Sequence, residues 1–420
     1  ILIAYSNTLQ SPPVLDDFHS FVRNHKIFVE QWNVETFRDL SNTFFGRARW
    51  IPMLTFAMDY SIGDGQFTQF HLTNLIIHLF NFFAVFFLVQ LCVRAAKRHT
   101  ALWRAPHVAL MVAALWALNP VQTNAVTYMV QRMASIQALF YVLSTAFYIQ
   151  GRLKHSQTGR FRPAAAGYGA CIVTALAAFL SKENSATLPL MVGLSEIWFF
   201  QPQGLQRIWR WFKTAPKIYW VLAGIILLVG AMEGFSLLER FSAGYGKRHF
   251  GPVERLLTEA RIVIWYIGLF LWPVPGRLSL EHDIIVSTSL FHPLTTLAGI
   301  LSLAAIAWFI VKRRRRYPVI TFGLLWYSLN LLIESTIVPL ELVFEHRLYL
   351  PSVGLTLALV FMVLEAVEHF RSKFTTRDWQ RLGWSTFAIL CSGLTLLTFY
   401  RNQDWQDIIT INRDAARKAP

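Results

Sequence analysis

Asp16 and Asp17 stand side by side just after Pro12-Pro13. Adjacent carboxylates at such a place can act as a general base or hold a divalent cation, and the same pair after two prolines can also simply cap a turn. Several cationic and polar groups fall inside or beside apolar runs, where a charge is costly unless it is paired or used. Arg132 sits ten residues into the run 122–149, a place for a cation facing a phosphate or pyrophosphate, or for an arginine snorkelling to the membrane surface. Lys182-Glu183 lies between two short apolar runs, either as a local ion pair or as a site at a helix junction. His71, Asn74 and His78 share one helical face, which suits a polar stripe joining helices. Glu345-His346-Arg347 opens an apolar run and is followed by Tyr349 and Pro351, which makes Arg347 a second candidate for phosphate or an interfacial anchor. The chain has no P-loop, no dinucleotide-type glycine fingerprint, no zinc spacing and no nucleophile elbow. An enzyme of this kind must receive its energy with the substrate, as an activated lipid-linked donor.

The elements that would carry these groups are membrane helices. Of the 420 residues 54% are apolar and only 15% charged, with 34 Phe and 15 Trp. Soluble domains carry about 25% charged residues, so an ordinary soluble enzyme, a coiled coil and a disordered chain are excluded. The net charge of +15 suggests nucleic acid only until its distribution is seen, because the basic residues cluster in short loops between apolar runs. Those loops, at 94–104, 151–163, 201–217, 312–316 and 371–382, are assigned to the cytoplasmic side. Cys92, Cys171 and Cys391 lie within apolar runs and serve as small hydrophobes.

Apolar runs occur near 71–93, 105–118, 122–149, 164–180, 186–200, 218–236, 257–273, 293–311, 318–333, 347–370 and 383–399. If all of them cross, the Lys312–Arg316 run falls outside. One must therefore not cross, and 257–273, short and ending in Trp272-Pro273, is the choice, as a re-entrant or interfacial segment. Ile1–Tyr5 is expected to be the outer stub of a truncated first helix. The expectation is an all-α polytopic membrane protein with about eleven crossings, counting that stub. In the first outer loop, residues 6–70, Trp32, Phe37, Phe44, Phe45, Trp50 and Phe56 alternate with polar residues, which predicts amphipathic helices on the membrane surface.

These residues resemble the membrane-embedded GT-C glycosyltransferases, specifically the transmembrane and tetratricopeptide-repeat protein O-mannosyltransferases and their prokaryotic relatives. The resemblance rests on Val14–Asp17, the stretch Arg49 to Tyr60, Phe70–Asn74 with His78, Asn119–Tyr128 leading to Arg132, Ser181–Asn184, and Glu345–Ser352. Arg401-Asn402, Trp405 and Arg413–Ala415 resemble the junction where repeats begin. Two departures are Asn119-Pro120, where the family often has His-Pro, and Asn124, where an acidic residue is frequent.

The resemblance implies a GT-C-type transmembrane catalytic domain over 1–400 and, over 401–420, the start of an outer-face region leading into tetratricopeptide repeats. It implies a polyprenyl- or dolichyl-phosphate sugar as donor, a protein Ser/Thr hydroxyl as acceptor, and chemistry at the outer membrane boundary. Asp16 would activate the acceptor with Asp17 in support. Arg132, His346, Arg347 and Tyr349 would hold the donor phosphate, and Arg49, His71, Asn74, Lys182 and Glu183 would assist. The donor is a substrate, and no further cofactor is expected. The protein-mannosylating branch is described as metal-independent and the oligosaccharyl branch as using a divalent cation; the Asp pair fits either.

The leading expectation is thus a transferase moving mannose or another hexose from a lipid phosphate to protein Ser/Thr. A GT-C enzyme acting on lipid or surface polymer, or moving an oligosaccharide to pilin, is an alternative acceptor choice. A transporter or flippase would bring inverted repeats, which the chain lacks, and a non-enzymatic scaffold leaves the charges at membrane depth unexplained. Short loops suit a bacterial or archaeal cytoplasmic membrane, and a eukaryotic version would sit in the endoplasmic reticulum.

Overall fold

The computed structural model describes residues 1–29, 31–41, 49–97, 104–201, 244–246, 248–369 and 375–419. The expected crossing at 218–236, the basic loop 202–217, and Phe44 and Phe45 lie outside the described residues.

The described residues form helices and connecting turns, with no strand among them. In chain order they are α1 (Val34–Ser41), α2 (Trp50–Gly63), α3 (Phe67–Ala95), α4 (Ala105–Ala117), α5 (Arg132–Thr158), α6 (Arg162–Phe179) and α7 (Leu188–Ser195). They continue with α8 (Pro252–Leu271), α9 (Thr295–Arg313), α10 (Pro318–Leu331), α11 (Pro351–His369), α12 (Thr376–Gln403) and α13 (Ile408–Lys418). Proline explains many of the starts. Pro106, Pro163, Pro189, Pro252, Pro318 and Pro351 each sit in the first two positions of a helix, where the missing N–H costs nothing.

Among the described residues, five helices are long and apolar enough to cross a membrane: α3, α5 with the turn before it, α9, α11 and α12. Together with the composition they make this an integral membrane protein. α4 and α10 are apolar but shorter. α8 is one unbroken helix of 20 residues, bearing Glu254, Arg255, Glu259 and Arg261 in its first half, and so does not have the broken form of a re-entrant segment.

The core is a bundle in which α3, α4, α5, α10 and α11 bury Val85, Leu88, Val112, Trp116, Tyr141 and Trp326, among others. α10 and α11 meet through glycine. A Cβ on Gly323 would lie 2.5 Å from the carbonyl of Gly354, so the close approach depends on having none. Trp326 donates its indole N–H to the Leu350 carbonyl at 2.9 Å, and Trp116 donates to the Tyr349 carbonyl at 3.1 Å. These bonds hold the turn Glu345–Leu348 that precedes α11.

Four expectations change. The run 122–149 is not one helix: residues 119–131 fold as short turns, and α5 begins at Arg132. Asn119 caps the first turn by accepting from Val121 N–H, and Gln122 donates to the Trp116 carbonyl, side-chain bonds to backbone that a helix interior does not favour. Arg132 is therefore the first residue of a helix rather than a charge inside one. The run 347–370 likewise starts as a helix only at Pro351, because the residue before a proline resists helical geometry. Residues 2–7, expected as the end of a helix, form turns, and Asn402 and Asn7 tie them to the C-terminal end of α12 through the Ala4 and Phe399 carbonyls. Finally, α12 runs through residue 400 to Gln403, and α13 packs back through Lys418, which donates to the Pro275 and Leu278 carbonyls.

Candidate active site

The two aspartates part company in the fold. Asp17 is fully buried, and its carboxylate accepts from Val14 N–H at 2.9 Å and Val130 N–H at 2.8 Å. Burial pushes its carboxyl up to about 8, against the pull of those two N–H groups. Asp17 is thus a clamp that fastens the first loop to the turn before α5. Asp16 is exposed, and its backbone N–H donates to the Tyr128 hydroxyl at 2.9 Å. Leu15, between the buried Val14 and Asp16, takes a left-handed φ of 39°, a conformation costly for a residue with a Cβ. The bend it makes turns one carboxylate out while its neighbour stays in. Phe21 continues the clamp by stacking on Phe56 and Phe70 at 5.2 and 5.1 Å.

Arg132 is spent on structure. It is fully buried, pairs with Asp59 at 2.5 Å, and donates to Asn74 Oδ1 at 2.5 Å, the Phe70 carbonyl at 2.7 Å and Thr55 Oγ1 at 3.3 Å. Its guanidinium lies over the Phe56 ring at 4.4 Å. For the expected phosphate role the structure offers no free donor here, since these already serve α2 and α3. Asp59, which the sequence did not mark as a site residue, is its counter-ion, and Thr73 donates to the same carboxylate at 2.6 Å.

The stripe on α3 is helix glue. His71 Nε2 donates to the Ser11 carbonyl at 2.9 Å, and Asn74 donates to the Val126 and Met129 carbonyls at 3.0 and 3.3 Å. His78 Nε2 faces the Ala117 carbonyl at 3.0 Å, so that nitrogen carries the proton and Nδ1 accepts from the Tyr349 hydroxyl at 2.7 Å. Tyr349 borders the cavity described next, and its hydroxyl is bonded to His78. Asn81, one turn further, extends the stripe by donating to the Ser135 carbonyl at 2.9 Å.

The cations gather elsewhere. A small cavity of about 20 Å³, room for roughly one water, is lined by Gln137, Lys182, Asn184, Asn330, Glu334, His346 and Arg347 among others. Lys182 and Glu183 are not a local pair. Lys182 Nζ lies 3.6 Å from Glu334, whereas Glu183 is bound by Arg49, whose Nε reaches its two oxygens at 3.1 and 3.2 Å. Arg347 Nε lies 3.8 Å from Glu334, and its Nη1 donates to the Leu342 carbonyl at 3.0 Å. Burial lowers Lys182, and Glu334 partly restores it. Burial, with Lys182, Arg347 and Arg49 nearby, holds His346 neutral well below its ordinary range. Its Nδ1 faces Asn124 Oδ1 at 3.3 Å.

The cavity is also short of partners. Gln137 Nε2 and Glu334 Oε2 are buried with none, as is Nδ2 of Asn124 beside His346. Two amide donors without acceptors, near two cations that share the one Glu334 carboxylate at more than hydrogen-bond length, suit an anionic or hydroxyl-rich ligand. The clamp at Val130 lies in the turn just before α5, and the cavity residues Ala134 and Gln137 lie in the first two turns of that helix. Among the described residues no three His, Cys, Asp or Glu side chains converge to hold a metal ion.

Known proteins similar to this chain are found at low identity. The chain is 28% identical to Protein O-mannosyl-transferase Tmtc2 of Drosophila melanogaster over 46% of its residues and 20% of that protein. It is 24% identical to Protein O-mannosyl-transferase Tmtc1 of the same organism over 64% of the chain and 32% of that protein. With human Protein O-mannosyl-transferase TMTC4 it shares 26% over 38% of the chain and 23% of that protein. The chain is distantly related to protein O-mannosyl-transferases. It matches between a fifth and a third of the length of these curated relatives. No family model matches it, and no solved structure does.

Glu334 is the residue of this site that sequence reasoning missed. It follows the apolar run 318–333 directly and stands in the loop before Glu345–Arg347, and a carboxylate at that boundary was the available signal.

Proposed function

We propose that this protein is an inverting glycosyltransferase of the GT-C type that moves a hexose, mannose in the simplest case, from a polyprenyl- or dolichyl-phosphate to Ser/Thr hydroxyls of proteins at the outer membrane face. The observation that carries the reading is the division of labour at the two aspartates. Asp17 is consumed as a buried clamp on Val130, which leaves Asp16 as the exposed carboxylate of the pair, and the stretch that both aspartates touch, Tyr128 to Val130, leads to Ala134 and Gln137 in the lining of the cavity that holds Lys182, His346 and Arg347. The similarity to protein O-mannosyl-transferases supports the reaction class.

In the proposed step the acceptor oxygen attacks the anomeric carbon of the donor. Its proton passes to the Asp16 carboxylate, the new glycosidic C–O bond forms, and the old sugar–phosphate C–O bond breaks with its electron pair leaving on the phosphate. A hydroxyl is a weak nucleophile at neutral pH, so a positioned base is needed. The departing phosphate gains negative charge, which Lys182 and Arg347 stabilise most strongly at that moment. Holding it requires both side chains to swing from Glu334, since the empty cavity has room for little more than a water. In this reading residues 1–400 are the catalytic domain, with 401–420 leading to an outer-face region.

Mass spectrometry of outer-face proteins tests the reading directly. Cells lacking the gene are complemented with full-length wild type or Asp16→Asn. Hexose-type masses on Ser/Thr should return with wild type alone, and identical protein masses in both strains would turn the search to lipid or polysaccharide acceptors. Lys182→Met should raise the donor KM or lower kcat by about 10²-fold with little change in acceptor KM. An equal loss on both substrates would argue against a phosphate role. For topology, Arg314→Cys should react with an impermeant thiol reagent only from the cytoplasmic side; labelling of intact cells would invert the assignment.

A further inference from the structure

Glu334 is an anion in a site for anions. Its two carboxylate oxygens lie 3.6 Å from Lys182 Nζ and 3.8 Å from Arg347 Nε, beyond hydrogen-bond length, and Oε2 is buried without a hydrogen-bond partner. Ion pairs built for structure in the same protein are tight: Arg132–Asp59 at 2.5 Å, Arg152–Glu196 at 2.6 Å and Arg255–Glu259 at 2.8 Å. A buried carboxylate that pairs loosely contributes little to stability, because desolvation offsets the attraction. Glu334 is instead held by its backbone. Arg255 on α8, fully buried, donates to the carbonyls of Glu334 at 2.8 Å, Thr336 at 2.8 Å and Leu340 at 2.5 Å, which fixes the loop so that the carboxylate faces both cations.

We propose that Glu334 is a competing counter-ion that drives the phosphate product out of the cation site. The inference rests on the donor reading above. A lipid-linked sugar donor is a phosphodiester with one negative charge. The lipid phosphate left after transfer is a monoester of charge about −1.5 to −2 near neutral pH, so the same cations grip the product harder than the substrate. A resident carboxylate that retakes Lys182 and Arg347 offsets that difference. It weakens binding of both phosphates, the more highly charged one most, so that the product still binds measurably but leaves readily.

The test uses the full chain in lipid nanodiscs and a short-chain polyprenyl monophosphate as probe, with affinity measured by calorimetry for wild type, Glu334→Gln, Glu334→Asp and Lys182→Met. Glu334→Gln should bind the probe at least about tenfold more tightly. Its turnover should show a fast first round followed by slow product release. Glu334→Asp, with its carboxylate one methylene further from the cations, should fall between Glu334→Gln and wild type, and gives the same answer if the glutamine variant does not fold. Unchanged or weaker binding in Glu334→Gln or Glu334→Asp, with the thermal midpoint retained, overturns the counter-ion role and makes Glu334 a positioning group. Failure of wild type to bind the probe, or Lys182→Met binding as wild type does, overturns the donor reading itself, and the inference with it.

Discussion

Asp16→Asn should lower transfer by about 10²–10⁴-fold while the protein still inserts and keeps its thermal midpoint. The side chain is exposed, and only the backbone of Asp16 is committed, its N–H to Tyr128 and its carbonyl to Ser20 N–H at 3.0 Å. Removing the charge therefore leaves the fold intact and takes away the base. Asp17 gives the contrast. Asp17→Ala leaves Val14 and Val130 N–H groups buried without an acceptor, so activity and stability should fall together. Activity and thermal unfolding measured on both variants decide the assignment. Near-normal transfer by Asp16→Asn would remove it as the base, whatever Asp17→Ala does.

The second large effect concerns stability. Arg132→Met leaves Asp59 buried without its counter-ion and frees Asn74, the Phe70 carbonyl and the Phe56 ring from one shared partner. Breaking a buried pair from one side costs about 3–5 kcal/mol. The expected result is a strongly lowered thermal midpoint with donor and acceptor use lost in parallel. The double variant Arg132→Met/Asp59→Leu should regain part of the stability, because no lone charge then remains. A variant with normal stability and a selective loss of donor affinity would return Arg132 to the phosphate site.

The difference between Arg132 and Arg347 shows what spacing cannot reveal. Both are arginines within or at the edge of an apolar run, and both were candidates for phosphate on that basis. In the fold one is enclosed by Asp59, Asn74 and Phe56, and the other lines a cavity with Lys182. The pairing of Arg49 with Glu183 and of Lys182 with Glu334 was hidden for a related reason: the partners are 134 and 152 positions apart, and adjacent opposite charges at 182 and 183 offered a simpler and wrong pairing. The i, i+3, i+7 stripe on α3 was legible because helical periodicity is local. So were most helix bounds, which prolines punctuate. The run 122–149 misled because hydropathy averages over a segment, whereas the turns at 119–131 involve individual side chains, Asn119 and Gln122, bonding to the backbone.

From the sequence by itself follow the membrane class, the helical content, the polar stripe and the choice of Asp16-Asp17 as the pair to watch, since each depends on composition or on neighbours within a turn or two. Only the tertiary structure decided which aspartate is free, which cations share a cavity, and that Glu334 stands among them. Those outcomes depend on which distant residue supplies the compensating charge or hydrogen bond. In a buried, low-dielectric setting that partner determines whether a charged side chain holds the fold together or stays available for chemistry.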